Sequence, residues 1–517
     1  MRKFLKILFI ISVISGRGYS QDSDHFEKII LKLNDRSAGE YSSLKINSGI
    51  FSKKELPFSL EESYKIQDPL KNLKKIKINR DNDLNKKYPI WIPITEVVGL
   101  NAGIGAFNAY VSESEFAKIS FKTVATNLEI GAVWDHDHFI TNFFAHPYHG
   151  NLYFNTARSN GYSFWESVPF SFGGSMMWEL FMENEPPSTN DLINTTVSGY
   201  MLGEMLYRSS SLIIDESKTG FARVSREFFA GLLNPMRAFN RILTGKISRV
   251  TSREAFEIEP VYLEFSAGPN RILDGTEFFT GTITAALNFR MVYGNPFKER
   301  SVKPFDFFRI QAQFNLGDTN NSQIGAVTAY GTLAGKNIET ENKEQKLFAG
   351  IFQHYDFFDN QVYKVGGISF GAGIITKFPS IIKNSNILTT LHLNIMPLGA
   401  ANSPYSAFGE KEYNFSSGLN MKFESYVNFD WGFMGVNYNL YWMHTLIGAA
   451  SNEYIGLLRP RLEVNLFDHL NVGTEFLFYH REGYYKDYPD VFTRNNEIKF
   501  YLSYWFGNFN LFNNKNS

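Results

Sequence analysis

The chain has 517 residues, no cysteine and a formal net charge of −1. Cysteine catalysis, a disulfide framework and lipid attachment at a cysteine are therefore excluded, and a general nucleic-acid binder is not expected. Aromatic residues make up 16% and charged residues 20% of the chain, and there are 40 glycines. This composition is unusual for a soluble enzyme and typical of a membrane barrel, which needs aromatic girdles and many tight turns.

The N-terminus has the pattern of a secretory signal peptide. MRKFLKILFIISVISGRGYSQ contains basic residues, an apolar run too short to span a bilayer, and small residues that favour cleavage after Ser20. We expect residues 1–20 to direct export; an unprocessed anchor is the alternative. Residues 21–88, which end in the basic stretch KNLKKIKINRDNDLNKK, are expected to form a polar linker or, alternatively, a surface for anionic lipid headgroups.

Residues 89–250 have helical patterns. Helices are predicted at 92–111, Phe164–Met182, Asn190–Ser211 and Ser225–Leu243. The prolines of EPPSTND end the second of these before Ser188 or Asn190 caps the third. The fourth is expected to break near Pro235.

Residues 255–507 change to a period of two. In FRIQAQFNL (308–316) and YVNFDWGF (426–433), apolar residues alternate with polar residues or glycine, and similar segments recur to the end of the chain, with 508–517 left as a tail. Roughly a dozen such segments behind a signal peptide predict a closed barrel in the outer membrane, because only closure satisfies every strand edge in lipid. A large soluble β-sandwich or lipocalin-like barrel is the alternative.

The predicted fold class is therefore α+β, with an N-terminal helical domain followed by an antiparallel outer-membrane β-barrel of roughly 12 strands. A barrel of this size has a lumen that must be filled or controlled. The helical domain is accordingly expected to plug the barrel or to pack beneath it on the periplasmic side.

Ionisable side chains lie within the apolar helical segment. On a helix over 190–208, the polar residues Asn190, Asn194, Ser198, Glu204 and Arg208 share one arc, and a GxxxG pair lies on the far side. The preceding helix presents two glutamates one turn apart. Because unpaired charges are costly to bury, these groups form either a polar network that locks helices together or a functional site.

Histidines concentrate in WDHDHFITNFFAHPYHG, which contains His136, His138, His146 and His149, and Asp135 and Asp137 interleave with the first two. His and Asp suit zinc or a similar ion, but no HExxH or comparable spacing is present, so no metal ligands are assigned. His146-Pro147-Tyr148 is expected to fix a turn. No P-loop or GxSxG motif is present.

HPYHGNLYFNTARSNGYSFWESVPFSFGGSMMWELFMENEPPSTNDLINTTVSGYMLGEMLYR, with WDHDHFITNFFAHPYHG before it and LLNPMRAFNRILTG after it, resembles the DUF3943 family of uncharacterised bacterial envelope proteins over roughly residues 90–250. The positions that match its motif are His146, Pro147, Tyr148, Gly150, Tyr153, Arg158, Gly174, Ser175, Trp178, Glu179, Glu183, Pro187, Ser188, Asn190, Asp191, Thr195, Gly199, Gly203, Glu204 and Arg208. The resemblance implies an outer-membrane or periplasmic location and brings no activity. His136 and His138 depart from the family pattern, which favours His146 over a four-histidine metal site.

The aromatic and charged mixture of the helical domain favours a protein that binds, moves or modifies an envelope lipid or glycolipid. If it is an enzyme, we expect a hydrolase or acyltransferase whose catalytic residues are His146, Glu179, Glu183 and Asp191. The expected substrate contacts are Arg158, Asn190, Asn194, Glu204, Arg208, Tyr148 and Trp178. In this hypothesis Glu179 or Asp191 is the base, His146 an acid or base, and Arg158 or Arg208 the anion clamp.

A plugged channel or transporter, or a non-catalytic envelope scaffold, is the alternative function. The expected partners are membrane lipids and the outer-membrane assembly machinery, and no nucleic acid. No cofactor is assigned.

Overall fold

The structure is a computed structural model that describes residues 86–507 except 136, 251–260, 275–276, 299–301, 317–322, 343, 361, 363, 380–384, 406–411, 430 and 468. The expected signal peptide, nearly all of the expected linker, the expected tail and His136 lie outside the described residues. Among the helices that are described, none is both long and apolar enough to cross a membrane.

The described part of residues 89–250 contains seven α-helices. They are α1 Trp91–Tyr110, α2 Phe121–Ile130, α3 His146–Ser159, α4 Phe164–Phe181, α5 Thr189–Ile213, α6 Gly220–Leu233 and α7 Pro235–Leu243. The four predicted helices are confirmed as α1, α4, α5 and the pair α6–α7, which breaks at Asn234 as the following proline requires. Ser188 is the residue that caps α5, since its Oγ accepts a hydrogen bond from the Asp191 N–H at 3.2 Å.

The prediction of a turn at His146-Pro147-Tyr148 is wrong, because these residues open α3. A π-helical turn at Thr141–Ala145 leads directly into that helix. Proline is tolerated in a first helical turn because its missing N–H would have no intrahelical partner there. The buried side chains of Tyr153 and Phe154 then hold α3 in the core of the helical domain.

The strands close into an antiparallel barrel of twelve in which each strand pairs with its sequence neighbours and β1 pairs with β12. They are β1 Val261–Asp274, β2 Glu277–Tyr293, β3 Phe308–Leu316, β4 Ile324–Ile338, β5 Lys346–Asp359, β6 Lys364–Phe378, β7 Asn386–Asn402, β8 Tyr413–Phe429, β9 Gly432–Ile447, β10 Ser451–Asn465, β11 Leu470–Tyr485 and β12 Val491–Gly507. The predicted fold class is confirmed. The alternation read across 426–433 as one segment is wrong, because β8 ends at Phe429 and β9 starts at Gly432.

Charged side chains from non-adjacent strands meet across the barrel lumen. Lys422 of β8 lies 2.6 Å from Asp356 of β5, although β6 and β7 separate these strands. Arg309 of β3 pairs with Glu424 of β8 from almost the opposite wall. Since only inward-facing side chains can meet in this way, these contacts fix which face of each strand is the interior.

The helical domain packs on the outer wall of the barrel. Tyr355, the neighbour of the inward-facing Asp356, donates its hydroxyl hydrogen bond to the Phe143 carbonyl. Gln353 lies two residues before Tyr355 on the same strand, and its side-chain amide donates to the Val197 carbonyl at 2.9 Å. Since successive side chains of a strand point to opposite faces, both residues face outward.

A hydrophobic cluster fills the interface between the helices and the outer wall. It contains residues of both parts, among them Phe139, Phe143, Phe154, Met205, Met291, Phe308, Ile310, Tyr355, Phe357, Tyr413 and Phe415. Phe308 and Ile310 flank the inward-facing Arg309 and therefore face outward. The expectation that the helices plug the lumen or cap the barrel from below is thus not met, because the lumen is crossed by the barrel's own ion pairs and the aromatic surface that the helices cover lies outside.

Helix α5 reaches from one rim of the barrel to the other. Near its start, Asn190 is hydrogen-bonded to Asn142, whose amide donates to Tyr413 at the beginning of β8. Near its end, the hydroxyl of Ser209 lies 3.4 Å from the sulfur of Met291 at the end of β2. Strands β2 and β8 run in the same direction, because both are even-numbered strands of an antiparallel barrel. The start of β8 and the end of β2 therefore lie at opposite rims. The interval along α5 is about 28 Å, close to the ~30 Å hydrocarbon thickness of a bilayer.

Helices α3 and α5 cross where two glycines meet. A Cβ on Gly150 would lie 1.7 Å from the Thr195 carbonyl oxygen, and one on Gly199 would lie 2.6 Å from the Gly150 Cα. The GxxxG side of α5 predicted for a close helix approach therefore receives α3.

Replacing Gly150 by alanine is expected to prevent stable packing of the helical domain, because the clash is with backbone that cannot rotate away. The measurement is limited proteolysis of the full chain, in which Gly150→Ala should expose sites within residues 89–250. Gly173→Ala on α4 is the matched control, since its Cβ would meet nothing within 4 Å. Equal protease resistance of the two variants would contradict the close crossing.

Candidate functional site

Five carboxyl groups surround one histidine where the start of α3, the end of α4, the start of α5 and the loop before α3 converge. We call this group the acidic cluster; its members are Asp135, Asp137, His146, Glu179, Glu183 and Asp191. Ser188 brings Asp191 into the first turn of α5, where the helix dipole favours a carboxylate. Glu179 lies in the last turn of α4, whereas Glu183 lies two residues beyond the end of that helix, so the prediction that one helix presents both glutamates is wrong for Glu183.

His146 lies at the centre of the acidic cluster and is buried. Its Nε2 is 3.5 Å from Asp191 Oδ1 and 3.9 Å from Asp137 Oδ2. Its Nδ1 is 3.2 Å from the Thr195 hydroxyl. The ring is therefore held by α5 on one edge and faces carboxyl groups on the other.

Glu179 and Glu183 are held by neutral donors. The Ser188 backbone N–H donates to Glu179 at 2.9 Å, and the Trp178 indole N–H donates to Glu183. Among the described residues, neither glutamate has an ion pair with lysine or arginine. Each glutamate therefore lies close to the other carboxyl groups of the acidic cluster without a lysine or arginine partner.

Asparagines and a barrel tyrosine complete the surroundings. The amides of Asn190 and Asn142 donate to Asp135 at 2.9 and 3.1 Å. The Asn142 amide also donates to the Tyr413 hydroxyl at 2.7 Å, and that hydroxyl donates to the Asp137 carbonyl at 2.6 Å. The outer wall of the barrel thus positions the loop that carries both aspartates.

Burial and mutual repulsion favour protonation within the acidic cluster. Burial and then the charge of Glu183 raise the pKa of Glu179 well above its usual range, and burial and then Asp135 do the same for Asp191. Burial, followed by the charge of Asp137, raises the pKa of Glu183 to about 8. Burial alone would lower the pKa of His146, but Asp137 and Asp135 outweigh it and raise that pKa. The site can therefore hold and release protons.

Alkaline pH is expected to destabilise the helical domain. The pKa of Glu183 is about 8 in the folded chain and lower in an unfolded one, so the folded state binds more protons between these values and its stability falls as pH rises through them. Protease resistance of the domain should be lower at pH 9 than at pH 6, and Glu183→Gln should weaken this dependence. An unchanged pH dependence in Glu183→Gln would contradict the assignment.

Three members of the acidic cluster have the geometry of a cation site. One ligand atom each from Asp135, His146 and Asp191 lies within 4.8 Å of the others. Carboxylate and imidazole donors suit zinc or a related divalent ion, and such an ion would replace the protons that the cluster otherwise retains. Sequence spacing did not indicate this set because Asp191 lies on α5, far along the chain from the segment that contains Asp135 and His146.

The predicted anion clamp is a separate structural network. Glu204 accepts from Arg158 at 2.7 Å and from Arg208 at 2.8 Å, and Arg208 also lies 3.0 Å from Asp306 in the loop after β2. Glu204 is 13 residues beyond Asp191, about 20 Å along α5. Both arginines are therefore too far from His146 to clamp a substrate there, and they tie α3 and α5 to the barrel instead.

The remaining predicted contacts divide between two places. Asn190 and Trp178 belong to the surroundings of the acidic cluster, and Asn194 lies one turn further on, where its amide donates to the Asn142 carbonyl. Tyr148 points away from the cluster and lines a groove against α1 and α7.

Comparison with known proteins matches residues 131–236 to the family described as "Domain of unknown function (DUF3943)". The chain carries a DUF3943 domain. The resemblance found in the sequence is confirmed over this range, which contains the whole acidic cluster. No curated protein matches the chain.

Several solved outer-membrane proteins match part of this chain. NanC porin shares 10% identity, covers 47% of this chain and 98% of its own, and gives a TM-score of 0.27. The outer membrane channel DcaP of Acinetobacter baumannii shares 8% identity over 48% of this chain and 96% of its own, with a TM-score of 0.23. An outer membrane channel from Pseudomonas putida F1 shares 7% over 48% and 97%, with a TM-score of 0.26. At these values nothing about their activity transfers to the DUF3943 domain or its barrel.

Sequence reasoning gave no role to Asn142, Thr195 and Tyr413, which position the site. Asp135 and Asp137 were noted only for their place among histidines. A signal existed for the aspartates, since two acidic residues inside an otherwise aromatic stretch need partners. No local signal could have indicated Tyr413, which reaches the site from a strand more than 270 residues away in sequence.

Proposed function

We propose that this protein is an outer-membrane barrel that anchors a lipid-facing DUF3943 domain, and that this domain binds an envelope lipid or glycolipid and modifies it by hydrolysis or acyl transfer. The observation that carries the proposal is the position of the helices on the outer wall. A site on that wall can receive a molecule from the bilayer, whereas a site in the lumen could not.

The free surface of the helical domain is suited to lipid contact. On α1 and α4 it presents large apolar side chains, among them Trp91, Ile94, Val98, Trp165 and Phe172, with exposures between 45% and 61%. Exposed apolar surface of this extent marks a membrane or partner interface. The barrel continues it with exposed Leu393, Ile395 and Phe500.

The lumen supports a channel less well. Ion pairs such as Lys422–Asp356 cross it, and the cavities lined by lumen residues have volumes of about 40, 60 and 20 Å³. One water needs about 10–15 Å³ of such volume, so these spaces hold a few waters each. In this proposal the barrel is a membrane anchor and a wall of the site.

The acidic cluster can supply acid–base chemistry for ester cleavage. Asp137 is the more exposed carboxyl next to His146, and in our proposal it takes the proton from the attacking water or hydroxyl. The new carbon–oxygen bond forms at the ester carbonyl as the bond to the leaving oxygen breaks. His146 gives its proton to that oxygen, and Glu179 keeps the end of α4 in place through Ser188.

The test is comparative lipid mass spectrometry of outer membranes from wild-type, deletion, His146→Gln and Asp137→Asn cells. A lipid change shared by the deletion and both variants is expected, with barrel insertion checked by heat-modifiable gel mobility. Glu179→Gln, which resembles the protonated glutamate, is expected to keep the wild-type profile, as is the exposed control Glu129→Gln. A wild-type lipid profile in inserted His146→Gln protein would refute the catalytic part.

A further inference from the structure

A second cavity of the helical domain lies outside the acidic cluster, between α1, α3 and α7. We call it the apolar groove; its volume is about 840 Å³, and Trp91, Leu100, Ile104, Phe107, Leu152 and Phe239 are among its lining residues. This is the size of a pocket for a small organic ligand. It far exceeds the cavities of the lumen.

The floor of the apolar groove on α1 contains two glycines one turn apart. Gly99 and Gly103 line the groove, and a Cβ on either would meet nothing within 4 Å. Elsewhere in the domain a GxxxG side receives another helix, as Gly199 does with α3. On α1 the same spacing leaves open space instead.

Polar groups sit at defined positions in this apolar lining. The Tyr148 hydroxyl is buried and has no hydrogen-bond partner among the residues that the structure describes. A phenol hydroxyl in this position can donate to an oxygen of a ligand. The Glu96 carboxyl, which also lines the groove, accepts from the neutral amides of Asn160 at 3.0 Å and Asn240 at 3.1 Å.

The apolar groove opens into the apolar outer surface of the domain. Trp91 and Phe239 line the groove and are 61% and 45% exposed, and the neighbouring Ile242 and Leu243 of α7 are more than half exposed. At one end, the ammonium group of Lys246 lies 5.7 Å from the ring centroid of Tyr88, which also lines the groove. An amphipathic ligand with an anionic head and an apolar tail fits this order of groups.

We propose that the apolar groove binds a fatty acyl chain of an anionic membrane lipid, with the headgroup toward Lys246 and the Tyr148 hydroxyl donating to an oxygen of that lipid. This deepens the proposed function by naming the lipid part that the domain recognises, and it rests on that function. The acyl chain enters from the bilayer along α1, which accounts for the exposed apolar side chains of α1 and for the open space over its glycines.

The experiment uses the full chain in phosphatidylglycerol vesicles whose acyl chains carry a diazirine, followed by illumination and peptide mass spectrometry. Labelling is expected on α1 and α7 residues that line the groove. Gly99→Leu combined with Gly103→Leu fills the open space and should lower that labelling about tenfold, which corresponds to a modest loss of binding. Gly173→Leu on α4, also with open space around it, is the matched control and should label as wild type.

The proposal would be overturned if the exposed faces of α4 and α6 were labelled as strongly as the groove and the double glycine variant did not change this labelling. Such a result would report contact with bulk lipid only. An unlabelled groove that crosslinks to residues 21–85 would overturn it as well. If groove labelling behaves as expected while His146→Gln leaves the lipid profile unchanged, acyl-chain binding stands and the catalytic function fails. If the double glycine variant leaves groove labelling unchanged while His146→Gln changes the lipid profile, acyl-chain binding in the groove is rejected and the proposed catalytic function stands.

Discussion

A disulfide is expected to form readily between residues 209 and 291 when Ser209→Cys and Met291→Cys are combined. The Ser209 hydroxyl is 3.4 Å from the Met291 sulfur, so the two side chains are in contact across the interface, and oxidation can trap the shorter cysteine side chains when thermal motion brings their sulfurs together. The native chain contains no cysteine, and any disulfide must therefore join the two introduced residues. Peptide mass spectrometry of the oxidised protein, isolated from outer membranes, measures its yield.

Val292 provides the matched control for this experiment. It neighbours Met291 on β2 but packs with the inward-facing cluster that contains Tyr262 and Tyr330. Ser209→Cys with Val292→Cys is expected to give almost no disulfide, because the barrel wall separates the two thiols. The opposite preference, with residue 292 crosslinked and 291 not, would place α5 in the lumen and reject the outer-wall arrangement.

Removing the charge of Glu204 is expected to destabilise the packing of α3 and α5 in the helical domain. Burial alone would raise the pKa of Glu204, but Arg158 and Arg208 outweigh it and lower that pKa, so the group is ionised. Glu204→Gln leaves two largely buried guanidinium groups without their shared partner, and breaking a buried ion pair on one side costs about 3–5 kcal/mol. The measurement is the denaturant concentration at which residues 89–250 become protease-sensitive.

The exposed pair Glu115–Lys118 is the control for Glu204. Glu115→Gln should change the denaturant midpoint little, because exposed pairs of this kind contribute little to stability. Replacing Glu204 and Arg208 together by apolar residues is not a clean alternative, since Arg158 and Asp306 would remain without them. A midpoint in Glu204→Gln equal to that of Glu115→Gln would contradict a role in fixing the domain.

Much of the helical domain and of the barrel could be predicted locally. The 3.6-residue and two-residue periods and the proline and serine positions indicated α1, α4, α5, the pair α6–α7 and the barrel strands. Helix α3 was missed because HPYHG resembles a turn, and its helical state depends on burial of Tyr153 against α4 and of Phe154 against α4 and α5. Buried contacts of this kind do not appear in a local pattern.

The grouping of His146, Glu179, Glu183 and Asp191 could be predicted only in part. Apolar neighbours and helical spacing indicated that these groups need partners, and the structure brings them together. The same reasoning joined Arg158 and Arg208 to them, but a helix separates positions by about 1.5 Å per residue, and α5 carries its two polar ends to opposite rims. The roles of these residues remain predictions.

The sequence by itself determined that the chain combines amphipathic helices with a closed barrel, because helical and strand periods follow from which side chains must avoid water. It could not determine which side of the wall the helices occupy. A strand with aromatic residues on one face and charges on the other is compatible with either placement. Only the tertiary structure decided this, since ion pairs between distant strands such as Arg309 and Glu424 show which face is inside and leave the aromatic face outside for the DUF3943 domain.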